Sequence, residues 1–358
     1  MYKILVINPG STSTKIAVYE GEKNVLLKNL KHSSEQLAGF ENICSQYSYR
    51  KNAVLNELKS AQIDITDLSA VIGRGGLIHP IESGVYEVNE ALKHDLEIGV
   101  MGQHASNLGG LIADDIAGGI KGCRAYIADP VVVDELEDIA RITGHPLMPR
   151  QSIFHALNQK AVARKFANNA DKKYEELNLI VAHIGGGVTI GVHRKGRIVD
   201  VNNGLDGFGP FSAERAGTVP AGRLIDICFS GEYSEAEVRS MITGKGGFMA
   251  HLGTSDGRLV VEWAQGGNKK AELILKAMGY QVAKSIGGAF VALKGAVDGI
   301  ILTGGMAHSK TILSYIREYI DFLGKVTVYP GEDEMEALAM NGLSVLRGDI
   351  ICKVYQKE

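Results

Sequence analysis

The stretch Asn8-Pro9-Gly10-Ser11-Thr12-Ser13-Thr14-Lys15 joins two apolar runs, residues 2–7 and 16–19, that are rich in β-branched side chains. With a turn at residues 20–23 and a third run over residues 24–30, this pattern predicts a hairpin of three consecutive strands. The loop offers hydroxyls, main-chain amides, a glycine and a lysine, all suited to anionic oxygens. It is not a Walker A loop, because a strand follows the lysine. Taken alone, such a stretch is more often an ordinary Ser/Thr-rich turn than a phosphate loop.

The same arrangement returns about half a chain later. Residues 179–184 form an apolar run that leads into Gly185-Gly186-Gly187, and further runs over residues 188–192 and 197–201 follow. Two such hairpins indicate an internal duplication, with two similar α/β domains facing a cleft. Because two glycine-rich hairpins arise by chance much less often than one, we interpret both loops as ligand-binding.

Composition narrows the class of protein. The 358 residues suffice for two domains, and 45% hydrophobic and 22% charged residues are ordinary for a globular chain. A net charge of −3 argues against nucleic acid or an anionic membrane as partner. The apolar run after Lys3 is too short for a signal peptide, and none approaches a bilayer span. Four cysteines without C-x-x-C spacing indicate reduced thiols, so we expect a cytoplasmic protein without a zinc site.

Three further predicted strands end in glycine or in a polar residue, where open α/β sheets bind their ligands. Residues 69–72 lead to Arg74-Gly75-Gly76, residues 124–128 lead to Asp129, and residues 297–302 lead to Thr303-Gly304-Gly305. The third of these loops has the usual position of a nucleotide site. Asp129 has an alternative interpretation, as the cap of a helix.

Helical spacing of apolar residues marks other segments. Residues 35–62 predict a surface helical region without a chemical role, and residues 152–166 predict a helix that carries His155. Residues 90–118, which include His104, are predicted to be helical, and residues 333–346 predict a closing helix. A single histidine on a helix is more often structural than catalytic, so the pattern alone gives His155 no role.

Together these motifs make the chain resemble the acetate and butyrate kinase family of the actin–hexokinase–Hsp70 nucleotide-binding superfamily. The resemblance covers essentially the whole chain. The opening asparagine-proline-glycine-serine-threonine is similar to that of the butyrate branch, because the acetate branch usually has cysteine in place of Pro9. The chain length is also similar to that of the butyrate branch, because acetate-branch chains are usually longer. The matching stretches are residues 7–15, 74–76, 128–130, 152–155, 182–187, 214–217 and 302–305.

The resemblance implies an α/β fold, the duplicated two-domain actin-like ATPase (ribonuclease H-like) fold, with ATP in a cleft between the domains. Residues 1–150 would form the N-terminal domain with the first phosphate loop. Residues 151–332 would form the C-terminal domain with the second phosphate loop and the adenosine site. A C-terminal helix within about residues 333–358 would pack back on the N-terminal domain.

The resemblance also assigns the site. Arg74 and Arg215 match the arginines that hold the carboxylate and the transferring phosphoryl group, and His155 matches the histidine that donates to that group. Asp129 matches a catalytic aspartate, and His104 lies in a matching region where it could contact substrate. ATP or phosphate binding is implied for Asn8, Ser11, Ser13, Lys15, His183, Gly185, Gly187, Gly304 and Gly305. Glu334, with Asn8, matches the Mg²⁺ site, in a turn that also contains Glu332, Asp333 and Glu336.

The implied reaction is ATP-dependent phosphorylation of a short-chain carboxylic acid, butyrate or isobutyrate, to the acyl phosphate, reversible with ADP. A carboxylate is already an ionised nucleophile, so no general base is needed. The difficulty is bringing two anions together, which the planar, always-charged guanidinium group of arginine overcomes.

Three alternatives remain open: an acetate or propionate kinase of the same family, a sugar kinase with Asp129 as base, and a non-catalytic actin-like ATP-binding protein. The expected partners are the short-chain carboxylate and the acyl phosphate, with neither nucleic acid nor membrane. A homodimer or higher homo-oligomer is expected. The sequence does not indicate which chain length of acid is preferred.

Overall fold

The computed structural model describes residues 1–356, and the chain divides into two compact units. The first unit comprises Met1–Val133 and the described part of the segment that begins at Asp333, and the second unit comprises Asp134–Glu332. The predicted boundary at residue 150 is therefore too late. Glu135 explains why, because its carboxylate accepts hydrogen bonds from Lys160 Nζ and the Ile198 amide of the second unit, each within 2.8 Å. Residues 357–358 of the predicted C-terminal segment lie outside the described part.

The strands are β1 (Lys3–Pro9), β2 (Ser13–Glu20), β3 (Lys23–Lys31), β4 (Ala70–Arg74), β5 (Val85–Glu87), β6 (Arg124–Ala128), β7 (Asn178–Ile184), β8 (Val188–Arg194), β9 (Arg197–Val201), β10 (Gly299–Gly304), β11 (Val326–Pro330) and β12 (Lys353–Val354). The α-helices are α1 (Ser34–Ala38), α2 (Tyr47–Ser60), α3 (Glu90–Ile98), α4 (Asn107–Gly118), α5 (Asp138–Arg141), α6 (Ala156–Asn169), α7 (Ala221–Cys228), α8 (Glu235–Ile242), α9 (Gly247–Leu252), α10 (Gly257–Gln265), α11 (Lys269–Ala292), α12 (Lys310–Ile320) and α13 (Glu334–Arg347).

The first unit is built on a seven-stranded sheet with the order β12-β5-β6-β4-β1-β2-β3. Strands β1, β4 and β6 are parallel neighbours, in register at Ile7, Gly73 and Ile127. Both faces of β1 are buried, which explains its continuous apolar run. Leu5 and Ile7 face a core shared with α2, α3 and α4, whereas α13 packs on the opposite face of β1 and β4. The carboxyl ends of the three parallel strands therefore meet at one edge.

The second unit is built on a five-stranded sheet with the order β11-β10-β7-β8-β9. Strands β7, β8 and β9 are antiparallel, and β10 runs parallel to both β7 and β11. Successive residues of β7 point to opposite faces. Ile180 and Ala182 pack in a core with α11, and Leu179 and Val181 pack in a second core with α6. The loop between β7 and β8 thus stands at the end of a sheet buried on both sides.

Both predicted hairpins are present, with strand bounds that lie within three residues of the expected ones. The predicted helix over residues 152–166 is wrong at its start, because α6 begins at Ala156 and His155 occupies the N-cap position with ψ 60°. Short strands β5 and β12 and helices α9, α10 and α12 had not been predicted. Within residues 1–356, no helix combines the length and the apolar composition that crossing a bilayer requires.

Candidate active site

Three predicted site residues stand at the carboxyl edge of the first unit's parallel strands. Asn8 is the penultimate residue of β1, Arg74 is the last residue of β4, and Asp129 follows β6 directly. Glu334, the first residue of α13, completes this group although it is 260 residues from Arg74 in the chain. This edge is where open α/β sheets bind ligands.

Arg74 and Glu334 form a two-point ion pair. Arg74 Nη2 lies 3.0 Å from Glu334 Oε1, and Arg74 Nη1 donates to Glu334 Oε2 over 3.1 Å. The Asn8 side-chain amide also donates to Glu334 Oε2, over 2.7 Å, and its oxygen lies 3.4 Å from Arg74 Nη1. The side chains predicted for the substrate carboxylate and for the metal therefore form one polar cluster.

Asp129 has a strained backbone with φ 38°, in the left-handed region that few side chains adopt. Its carboxylate accepts hydrogen bonds from the Ser83 hydroxyl over 2.6 Å and from the Gly84 amide over 2.8 Å. No helix starts here, since the next helix begins at Asp138. The alternative interpretation of Asp129 as a helix cap is thus wrong, and strain of this kind clusters at functional sites.

The first loop presents some of its polar side chains to solvent. The side chains of Ser11 and Lys15 are exposed and that of Ser13 is half-buried. By contrast, the hydrogen bonds described for His104 are local. Its Nδ1 accepts from the Ser106 amide over 3.2 Å and lies 2.8 Å from the Ser106 hydroxyl, just before α4. This geometry fixes a turn, and it brings His104 into none of the contacts described for Arg74 or Asp129.

Two histidines stack in the second unit. The rings of His155 and His183 lie 3.7 Å apart and are tilted by only 7°. His183 Nδ1 lies 2.8 Å from Asn158 Oδ1, and the Asn158 amide nitrogen donates to the Glu332 carbonyl. Asn158 Oδ1 is therefore an acceptor, so His183 Nδ1 carries a proton. His183 Nε2 is buried, lacks a hydrogen-bond partner within residues 1–356 and lies 3.6 Å from Glu332 Oε1. It can donate to a ligand only when the ring is an imidazolium.

A buried chain of hydrogen bonds leads to His155. The Gln159 amide nitrogen donates to the Thr189 carbonyl and hydroxyl, so Gln159 Oε1 accepts from His193 Nε2 over 3.0 Å. The Thr189 hydroxyl, already an acceptor from Gln159, can donate to His155 Nδ1 over 2.9 Å. When Thr189 donates to Nδ1, the ring proton of His155 stands on Nε2. Gly191 makes room for the chain, because a Cβ there would lie 2.1 Å from Gln159 Oε1.

Arg215 passes directly over the second glycine loop. A Cβ at Gly187 would lie 2.1 Å from Arg215 Nη1, so any other residue at position 187 would collide with the guanidinium. Arg215 Nη1 donates to the Gly204 carbonyl. Its Nε is buried and has no hydrogen-bond partner among residues 1–356. Burial lowers the pKa of Arg215, against the opposing effect of the Glu214 carboxylate. A buried guanidinium with an unused donor beside a glycine loop suits an anionic ligand.

The predicted adenosine loop borders a cavity of about 740 Å³. Gly304 has φ 92°, and a Cβ there would lie 2.5 Å from the Ile184 carbonyl oxygen, so close backbone packing requires glycine. Gly185 and Gly305 line the same cavity. Sequence reasoning missed the part of the wall that residues 255–262 form, although the run Gly253-Thr254-Ser255-Asp256-Gly257 has the composition of a ligand loop. The further lining residues include Ser255, Asp256, Arg258, Met306, His308 and Ser309.

The residues proposed for Mg²⁺ suit a cation that is shared with a phosphate. Glu334 and Asn8 both offer oxygen ligands, and Mg²⁺ is typically bound by one or two carboxylates together with substrate phosphates and water. No group of three or more His, Cys, Asp or Glu side chains within residues 1–356 could hold a metal without such help. In the structure the Glu334 carboxylate is neutralised by Arg74.

Comparison with known proteins places this geometry in a family. A model described as the Acetokinase family matches residues 136–338. The chain is 56% identical over 354 residues to a probable butyrate kinase of Bacteroides thetaiotaomicron, with 99% of this chain and 100% of that protein covered. It is 54% identical over 355 residues to butyrate kinase 2 of Clostridium acetobutylicum, with 99% of each covered. The chain belongs to the acetokinase family.

Solved structures agree with this assignment at the level of the fold. The crystal structure of Porphyromonas gingivalis acetate kinase superimposes with a TM-score of 0.77 over 97% of this chain and 100% of that chain, at 20% identity. A propionate kinase from Francisella tularensis superimposes with a TM-score of 0.74 over 94% and 98% of the two chains, at 18% identity. The predicted family and the predicted actin-like α/β fold are confirmed. As an acetokinase family member, the protein is an ATP-dependent kinase with a short-chain carboxylate as phosphoryl acceptor.

Proposed function

We propose that the carboxylate is butyrate, that isobutyrate is also accepted, and that the product is the acyl phosphate, formed reversibly with ADP. The observation that carries this proposal is that relatives 54–56% identical over 99% of this chain have the names probable butyrate kinase and butyrate kinase 2. We assign the protein to the cytoplasm and expect it to act as a homodimer or higher homo-oligomer, in keeping with its four free cysteines and its exposed apolar side chains, such as Phe229.

In the proposed reaction an oxygen of the carboxylate forms a bond to the γ-phosphorus of ATP. The bond from that phosphorus to the β,γ-bridging oxygen breaks, and ADP leaves with the electron pair. No proton is transferred, so the residues act by position and charge. This requirement agrees with a site that is rich in guanidinium and N–H donors.

The first unit would supply the groups for the acid, for Mg²⁺ and for some of the phosphate oxygens. Arg74 would bind the substrate carboxylate through its guanidinium fork, in exchange with or alongside Glu334. Asp129, held by Ser83 and Gly84, would orient the acceptor end of the site. Glu334 and Asn8 would hold Mg²⁺, which neutralises phosphate charge when bound. Ser11, Ser13 and Lys15 would bind phosphate oxygens. His104 stays a prediction as a substrate contact.

The second unit supplies the groups for the nucleotide and the transferring phosphoryl group. Arg215 Nε and His155 Nε2 would donate to the equatorial phosphoryl oxygens, whose charge grows in the transition state. His183, Gly185 and Gly187 would bind the phosphate chain. The 740 Å³ cavity beside Gly304 and Gly305 would hold the nucleoside.

The test is an acyl phosphate assay with the purified protein, Mg²⁺ and ATP. Hydroxylamine traps the product from acetate, propionate, butyrate, isobutyrate and valerate, and glucose serves as the control for a sugar kinase. We expect butyrate to have the highest kcat/KM, with a graded preference of about 1–3 kcal/mol for each methylene group in an apolar pocket.

A maximum at acetate or propionate would overturn the butyrate assignment and leave the family intact. ATP turnover that depends on glucose and not on any acid would overturn the carboxylate chemistry. ATP binding without turnover on any acid would favour the non-catalytic alternative.

A further inference from the structure

Helix α2 carries an arginine that lies beneath the first phosphate loop. Arg50 is 0% exposed. Its Nη1 donates to the Gly10 carbonyl over 2.9 Å, to the Ser13 carbonyl over 3.0 Å and to Thr14 Oγ1 over 3.1 Å. Its Nη2 donates to the Ser11 carbonyl over 3.0 Å, and its Nε donates to Gln46 Oε1 over 3.0 Å. One guanidinium group therefore holds most of the loop.

All of these acceptors are uncharged. Within residues 1–356 no carboxylate pairs with Arg50. Burial lowers the pKa of Arg50, against a smaller opposing effect of the Tyr49 hydroxyl. A buried arginine normally has an acidic partner, because an uncompensated charge is costly to desolvate. Arginine nevertheless keeps its proton in proteins. The positive charge beneath the loop is thus not neutralised by the protein.

Neighbouring groups do not add to or offset this charge. His32 lies 2.9 Å from Thr14 Oγ1 and 3.2 Å from the Tyr49 hydroxyl. Burial lowers the pKa of His32, and the Arg50 charge lowers it further, so the imidazole stays neutral near pH 7. Arg50 is therefore the single formal charge in this hydrogen-bonded group.

The same contacts orient the backbone of the loop. The carbonyls of Gly10 and Ser11 turn inward to Arg50, and in a planar trans peptide the following N–H points the opposite way. The amides of Ser11 and Thr12 therefore point away from Arg50, on exposed residues, and neither donates to a protein acceptor among residues 1–356. Successive outward amides form the concave site that binds anions in other proteins.

We propose that Arg50 is a positioning residue that both turns the loop amides toward the ATP phosphates and supplies an uncompensated positive charge behind them. This inference rests on the proposed use of the first loop for nucleotide phosphate, and it is independent of which acid is phosphorylated. The loop takes a polyanion, so a fixed cation beneath it is favourable when ATP is bound and costly only in its absence. A lysine would supply the charge without the fork that orients the loop. A neutral residue would supply neither.

The experiment measures binding without any acid. Isothermal titration of ATP and of adenosine is carried out on the wild-type protein, Arg50→Met, Arg50→Lys and His32→Gln. His32→Gln is the matched control, because it alters the same hydrogen-bonded group at Thr14 Oγ1 without changing formal charge. In Arg50→Met the dissociation constant for ATP should rise roughly 10- to 100-fold, as for one charge lost at moderate distance, whereas that for adenosine should change by less than about twofold.

Arg50→Lys keeps the charge and loses the fork that turns the loop carbonyls inward, so its preference for ATP over adenosine should fall between that of the wild type and that of Arg50→Met. His32→Gln should preserve the wild-type preference. Equal weakening of ATP and adenosine in Arg50→Met would leave Arg50 as a support of the fold and overturn the inference. If Arg50→Met does not fold, the lysine variant decides, because an unchanged preference for ATP would exclude the orienting role of the fork, and a complete loss of that preference would exclude the role of the charge.

Failure of the proposed function has a different signature. A wild-type protein that binds ATP and forms no acyl phosphate contradicts the proposed reaction but leaves the comparison of Arg50 variants valid. A wild-type protein that forms acyl phosphate, while Arg50→Met retains its preference for ATP, contradicts only the inference about Arg50.

Discussion

The two arginines proposed to act in the reaction differ in what already binds them. Arg74 is held by Glu334 and Asn8, both in its own unit. Arg215 is held by one backbone carbonyl, and its buried Nε lacks a partner among residues 1–356. A ligand at Arg215 therefore satisfies a buried donor, whereas a ligand at Arg74 competes with a carboxylate or shares the guanidinium with it.

Loss of either arginine is expected to affect the chemical step. Arg74→Ala or Arg215→Ala should lower kcat by about 10²–10³-fold, the scale for removing one donor aimed at developing charge. Lysine at either position should restore little, because it offers a point charge and no fork. The measurement is steady-state kinetics with ATP and butyrate, with folding checked by circular dichroism. Arg317→Ala is the control, since Arg317 of α12 is an exposed arginine that pairs with Asp321 just after the helix. A nearly normal kcat in an alanine variant would remove that arginine from the mechanism.

The sequence predicts some of these residues and contacts and not others, for a physical reason. Arg74 and Arg215 stand beside glycines in loops, so their local sequence carries a signal. The partner of Arg74, Glu334, lies 260 residues away, and no local pattern predicts such a contact. Arg50 lies in a helix among polar neighbours and was predicted to have no chemical role. Its burial results from the loop that folds over α2, which periodicity along the helix cannot show.

At the scale of elements, α6 and β8 are joined by polar rather than apolar contacts near the site. Gln159 on α6 connects Thr189 and His193 on β8, and Tyr174 lies 2.8 Å from His193 Nδ1. Because Gln159 fixes the proton of His193 on Nε2, the Tyr174 hydroxyl donates to Nδ1. A chain in which every member has its partner orients His155 more rigidly than packing alone.

Through His193, this chain of hydrogen bonds makes the free energy of unfolding depend on pH. Burial, with the charges of Lys160 and Arg164, lowers the pKa of His193 well below its ordinary value of 6.5. The unfolded chain therefore binds one more proton than the folded protein as pH falls below 6.5, so stability present above that pH is lost on acidification. Urea unfolding between pH 5 and 8 should show this slope. In His193→Gln the slope should decrease by up to one proton, about 1.4 kcal/mol per pH unit.

Exposed His145 provides the control for that measurement. His145→Gln should leave the slope of the wild-type protein unchanged. An undiminished slope in His193→Gln would show that other groups, such as buried His32, cause the acid destabilisation.

Strands and helices were predictable where the run of apolar residues was long enough to show a period. Both hairpins follow the period of two in runs bounded by glycine, so their strands could be placed closely. The start of α6 could not, since residues 152–155 carry apolar side chains at helical spacing although the backbone turns before Ala156. Strands β5 and β12 have three and two residues, too few for any period to be visible.

At the scale of the whole molecule, the C-terminal segment completes the first unit. Strand β12 pairs in parallel with β5 at the edge of the seven-stranded sheet. Just beyond β12, Tyr355 is 2% exposed, its hydroxyl donates to Asp95 Oδ2 over 2.5 Å, and its carbonyl accepts from Asn89 over 2.7 Å. One aromatic side chain thus anchors the segment to α3.

Removal of that anchor should destabilise the first unit selectively. Tyr355→Ala is expected to cost about 3–5 kcal/mol, as for other buried aromatic side chains truncated to alanine. Hydrogen exchange followed by mass spectrometry should show lost protection in β5, β6 and α3, while β7 and α11 keep theirs. Tyr280→Ala, at a half-exposed tyrosine of α11, should cost less than about 1 kcal/mol. Uniform loss of protection throughout the chain would contradict a selective effect of Tyr355 on the first unit.

The position of α13 in the chain also determines the order in which the protein can assemble during translation. Ribosomes release residues 134–332 before α13, so the second unit can fold while the first still lacks its last helix. Ile4 and Ile72 lie against Gly342 of α13 in the finished protein, so this helix cannot cover them until it has been made. The unit made first is therefore the one finished last, and its uncovered strands are the surface on which a chaperone would act.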